Sequence, residues 1–171
     1  MTTKQSMHID PYERNWIRIS IILLIGFAIA ISVAAFAFGF QVPSPEQRVD
    51  PRTVATDPNS PWSNPGLREL APGKYEAYVL AQTWSYLPRE MTVPVGSEVT
   101  FYITSKDVQH GFKLQDTNLN VQIVPGQVSK LTITFDKPGR YNYICTEYCG
   151  AAHAATTPGS THTDRQTQNS V

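Results

Sequence analysis

The stretches EVTFYIT at residues 98–104, NVQIV at 120–124 and SKLTITF at 129–135 decide the fold class. Polar and apolar residues alternate in the last two almost without fault, and the first is rich in aromatic and β-branched side chains. A period of two sends successive side chains to opposite faces, the mark of a half-buried strand. YEAYVL at 75–80 and RYNYI at 140–144 read the same way. Between them lie Pro94-Val95-Gly96, Pro125-Gly126 and Lys137-Pro138-Gly139, turns of the kind proline and glycine specify. Short strands, such turns and no long helical pattern predict an all-β domain, an antiparallel sandwich with one core over residues 74–155.

Upstream, no charged residue occurs from 19 to 45. The apolar core, ISIILLIGFAIAISVAAFAFGF at 19–40, would rise about 33 Å as a helix, against about 30 Å of hydrocarbon in a bilayer. Ala35-Phe36-Ala37 resembles a signal cleavage box, but the apolar run exceeds the 7–15 residues of a secretion signal. The reading is a single transmembrane helix over 17–40 after a cytoplasmic segment, 1–16. Lys4, Arg14 and Arg18 precede the span and Arg48 and Arg52 follow it, an excess that puts the C-terminal domain outside. Residues 41–73 hold seven prolines and read as a connector and wrap, with Trp62 packed on the following domain.

Fourteen basic residues balance fourteen acidic ones in 171, which excludes a general attraction to nucleic acid. Two cysteines exclude a scaffold stapled by many disulfides.

Those cysteines carry the chemistry. In Cys145-Thr146-Glu147-Tyr148-Cys149-Gly150-Ala151-Ala152-His153, two Cys and one His stand four residues apart, just after a strand. His110 lies 35 residues upstream of Cys145, beside another strand. In a sandwich the two loops can meet at one end, where two thiolates and two imidazoles make a soft nitrogen–sulfur pocket. Three readings stand: a Cys145–Cys149 disulfide, a closed structural zinc site, or copper for electron transfer, mononuclear or dinuclear.

The chain resembles subunit II of a haem–copper terminal oxidase, most closely the short ba3-type form with one membrane helix. The resemblance rests on Arg48-Val49-Asp50-Pro51, Pro61-Trp62, Tyr78-Val79-Leu80-Ala81 and Asp107-Val108-Gln109-His110-Gly111-Phe112. Thr117-Asn118-Leu119-Asn120-Val121, Pro125-Gly126-Gln127-Val128 and the spacing Cys145-x-Glu147-x-Cys149-Gly150-x-x-His153 extend it. It implies a cupredoxin-like Greek-key sandwich carrying CuA, a dinuclear centre with two copper ions per chain. Cys145 and Cys149 would bridge the ions, His110 and His153 would each bind one, and Glu147 would offer its backbone carbonyl. Trp84 matches the family's exposed aromatic on the electron-entry surface. Haem would sit only in the partner, subunit I, and a small membrane subunit is a further implied partner. The donor would be a soluble cytochrome c or small copper protein, and the location the plasma membrane with the domain on its outer, periplasmic side. A nitric oxide reductase subunit and a non-redox scaffold are the alternatives.

The pattern departs at Thr156, where the family has Met. Loss of a weak axial ligand tunes a copper site more than it empties it, and four strong ligands remain. Beyond it, residues 156–171 are almost free of apolar side chains and predict a flexible tail, with His162 exposed rather than a substitute ligand. The sandwich would then lack its last strand, leaving an edge for a partner subunit to cover.

Overall fold

A computed structural model describes residues 10–39, 45–155 and 158–164. Thr156 and the first nine residues lie outside that set. The chain forms two units, divided between residues 40 and 41.

The first unit is a helix, α1 (Pro11–Phe38). It starts where the local chemistry favours a start: the Asp10 carboxylate accepts the Tyr12 N–H at 2.8 Å, and Pro11 supplies a fixed φ without an N–H to satisfy. It ends at Gly39, whose positive φ of 59° closes the last turn onto the Ala35 and Phe36 carbonyls. Ser32 returns its hydroxyl to Ala28 O at 2.7 Å, so its polarity is satisfied within the helix. With no buried residue and an apolar surface all round, the helix is long and apolar enough to cross a membrane. Its ends differ from the expected 17–40: the cap at Asp10 adds a polar first turn and a half, and Gly39 stops the helix ahead of the prolines.

The second unit is a sandwich of two β-sheets. Its strands are β1 (Pro45–Arg48), β2 (Gly66–Ala71), β3 (Lys74–Gln82), β4 (Ser85–Leu87), β5 (Glu90–Pro94) and β6 (Glu98–Ser105). They continue with β7 (His110–Leu114), β8 (Asn120–Ile123), β9 (Gln127–Thr134), β10 (Gly139–Ile144) and β11 (Gly159–Asp164). One sheet has the order β1-β9-β6-β3-β2, with β4 also paired to β3; the other runs β5-β11-β10-β7-β8. Most neighbours are antiparallel, but β3 pairs β6 and β11 pairs β5 in parallel. The inward-facing Val79, Phe101, Ile103, Phe112, Ile123 and Tyr143 fill the core between the sheets.

Of the expected connector, 41–73, the described residues from 45 onward belong to the sandwich and do not run ahead of it. β1 pairs with β9 and β2 with β3, and the intervening wrap drops Trp62 onto the outer face of the first sheet. There Trp62 is buried with Val54, Leu80 and Val128, and its indole N–H donates to Tyr102 O at 3.2 Å. Proline density marked a segment without helix; the strands in it are short and pair with distant partners that a local reading does not reveal.

The expected flexible tail, 156–171, is corrected over residues 159–164; residues 156–157 and 165–171 lie outside the described set. Residues 159–164 form β11, inserted between β10 and β5, so the sheet edge assigned to a partner subunit is filled by the chain itself. At the start of the strand there is no room for a side chain: a Cβ on Gly159 would collide with the Tyr143 ring. The aromatic ring fills the core, and small residues pass over it. Ser160, Thr161 and Thr163 are buried, and Thr163 donates its hydroxyl to Lys137 O at 2.8 Å. His162 is half-buried, not exposed, with Nε2 3.0 Å from Ser160 Oγ.

Candidate metal centre

β10 ends at Ile144, and Cys145 is the first residue beyond it. β7 runs antiparallel to β10, pairing Leu114 with Tyr143 and Lys113 with Ile144, so His110 at the start of β7 stands at the same end. The Cys loop folds back over that end and closes in a short 3-10 turn, His153–Ala155.

The donors converge. Cys145 and Cys149 are both buried, and they are not joined in a disulfide; their Sγ atoms are 3.7 Å apart. The ligand atoms of His110, Cys145 and Cys149 lie within 4.8 Å of one another, and His153 Nδ1 is 3.4 Å from Cys149 Sγ. Glu147 turns its backbone carbonyl to Cys145 Sγ at 3.3 Å, while its carboxylate reaches outward to the Gln109 side-chain amide at 3.4 Å. His162 joins no such group among the described residues. It pairs with Arg140, five residues short of Cys145, or about 16 Å of strand.

The surroundings orient these groups. His110 Nε2 meets Asp107 Oδ1 at 2.9 Å, which leaves Nδ1 as the ring nitrogen for a metal. Burial opposes ionisation of Asp107, but hydrogen bonds from the Thr83 hydroxyl, His110 and the N–H groups of Thr83 and Val108 outweigh it and hold the carboxyl down at about 2. Asp107 therefore ties His110 to the β3–β4 turn that carries Trp84. That indole is 41% exposed, on a backbone held at the positive φ of 77°. Gly150, next to Cys149, lies close beneath it: a Cβ there would stand 3.7 Å from Trp84 Nε1.

Sequence reading missed four contributors. Gly111 lets β7 touch the Cys loop, since a Cβ on it would stand 2.6 Å from Thr146 N and 2.7 Å from Glu147 N. Its position directly after His110 was the available signal. Val108 and Tyr148 are exposed apolar residues, one in the loop before His110 and one in the Cys loop. Tyr86 is buried two residues past Trp84, and nothing in its local sequence marks it.

The comparisons bear on what this end of the sandwich is. The family described as cytochrome C oxidase subunit II, periplasmic domain, matches residues 79–158. Cytochrome c oxidase subunit 2 of Thermus thermophilus is 40% identical over 146 residues, which cover 83% of this chain and 86% of that one. The chain belongs to the cytochrome c oxidase subunit II family. A haem–copper terminal oxidase dimer solved by cryo-EM contains a chain that superposes on this subunit II with a TM-score of 0.72 at 31% identity, covering 90% of this chain and 99% of that one. Nitrous-oxide reductase of Stutzerimonas stutzeri is 36% identical over 84 residues, 47% of this chain but 13% of that enzyme. The Cys loop and His110 both fall inside the stretch that the subunit II family model matches.

Proposed function

We propose that this chain is the electron-entry subunit of a terminal respiratory oxidase. It takes electrons from a soluble donor, a cytochrome c or small copper protein, and passes them to haem in subunit I, where oxygen is reduced. The observation that carries the reading is the meeting of two thiols, two imidazoles and a backbone carbonyl at one end of a subunit II sandwich. Soft sulfur with imidazole nitrogen suits copper, and membership of this family favours copper over the zinc alternative.

In this reading Cys145, Cys149, His110 and His153 would hold two copper ions, with Glu147 offering its backbone carbonyl, and the pair would supply one-electron transfer with little reorganisation. The protein's contribution is rigidity and access. Burial of both cysteines keeps water from the sulfurs, and Asp107 fixes the tautomer and orientation of His110. Thr156, where the family resemblance implies Met, lies outside the described residues, and the four strong donors do not include it. Trp84, Val108 and Tyr148 form the exposed apolar rim through which a donor docks. α1 anchors the subunit in the plasma membrane with the sandwich on the outer, periplasmic side, consistent with the charge excess before the span and the periplasmic family match.

The test is oxidation of a reduced soluble cytochrome c by the assembled oxidase, followed by stopped flow. Trp84→Ala is expected to slow donor oxidation at least tenfold with copper content unchanged. An undiminished rate would remove Trp84 from the entry surface. Donor oxidation that is equally fast when this chain lacks copper would refute the electron-entry reading itself.

A further inference from the structure

Tyr86 is 1% exposed, and its hydroxyl is a polar group that a phenylalanine in the same space would spare the core from burying. The hydroxyl has specific neighbours. It donates to Gly111 O, on the residue after His110. Cys145 and Cys149 are its neighbours on the other side. The ring is wedged between the strands that deliver both ligands: it meets Phe112 of β7 at 5.6 Å and Tyr143 of β10 at 5.8 Å, edge-on in each case. Gly111 is the point where β7 touches the backbone of the Cys loop.

We propose that Tyr86 is the positioning residue of the centre, its hydroxyl bonded to Gly111 O on the His110 strand and its ring packed against the strand that delivers Cys145, holding the two where the ligands converge. For its effect on copper this rests on the electron-entry reading; for its effect on the metal-free fold it does not. The potential of a metal centre follows how its ligands are held, so loosening the His110 strand against the Cys loop shifts it.

The experiment compares Tyr86→Phe with Val99→Ala, a core truncation in β6 away from the site, in the full chain in detergent micelles. In the metal-free chain, amide hydrogen exchange is read at Gly111, Thr146 and Glu147. In the copper-loaded chain, the reduction potential is read. Tyr86→Phe is expected to speed exchange at those amides about tenfold, as loss of one buried hydrogen bond implies, and to shift the potential. Val99→Ala is expected to speed exchange across the core and leave the potential at the wild-type value. Tyr86→Phe behaving like Val99→Ala, or leaving exchange and potential both unchanged, would overturn the proposal. Wild-type chain that takes up no copper would instead sink the electron-entry reading, with the exchange data still deciding whether Tyr86 clamps Gly111.

Discussion

Replacing Gly111 with alanine adds one methyl group at the closest approach of β7 to the Cys loop. The new Cβ would stand 2.2 Å from Thr146 Oγ1, 2.6 Å from Thr146 N and 2.7 Å from Glu147 N. The threonine hydroxyl can rotate away, but the two backbone nitrogens cannot. To restore ordinary contact near 3.5 Å the loop must retreat by about 0.9 Å. Overpacking of this kind costs about 1–3 kcal/mol. In a domain of this size each kcal/mol lowers the thermal midpoint by roughly 3–5 °C, so a fall on the order of 5–10 °C is expected for the metal-free chain. The retreat also carries Cys145 and Cys149 away from His110, by more than the tolerance of about 0.2 Å on metal–ligand distances. Copper affinity is therefore expected to drop at least tenfold, more than the loss of stability alone would bring. Competition with a chelator of known affinity, alongside calorimetry of the metal-free chain, measures both. A Gly111→Ala chain with wild-type midpoint and wild-type copper affinity would refute the claim that this contact sets the distance between the two ligand-bearing segments.

Two further substitutions test the parts of the fold that support the site. Trp62→Ala empties the core beneath the wrap and removes the bond to Tyr102 O; denaturant unfolding is expected to show a loss of about 3–5 kcal/mol, and a loss under 1 kcal/mol would mean the wrap is a loose cover. Gly159→Val forces a side chain into the Tyr143 ring and the Arg89 carbonyl; a loss of at least 2 kcal/mol, with collapse of exchange protection at residues 160–163, is expected, and wild-type protection would mean β11 is not part of the sandwich.

What was legible in the sequence follows from how local the deciding chemistry is. The strands around Phe101, Ile123 and Leu131 announce themselves because alternation is a property of neighbouring residues. The Cys loop does so because ligand types at a fixed spacing constrain one short segment, and His110 because it borders a strand of the same sandwich. β11 did not, since its burial depends on pairing with β10 and β5 and, at Gly159, on Tyr143 of another strand taking the space a side chain would need. β1 and β2 were lost among prolines for a similar reason: their partners, β9 and β3, lie elsewhere in the chain. The ends of α1 were legible, as Asp10-Pro11 and Gly39 are ordinary start and stop signals, but the hydropathy run outweighed them. Tyr86 could not have been found, because its meaning lies in Gly111 and Cys145 across the core.

The central claim is that these residues hold two copper ions as one centre. Its most direct measurement is copper content per chain together with electron paramagnetic resonance of the reconstituted full chain in detergent micelles, kept reduced until loading. The account predicts two coppers per chain and a single unpaired electron shared equally between two nuclei, a pattern that Cys149→Ser abolishes. One copper with a localised signal, or none in a chain shown to be folded, would contradict it.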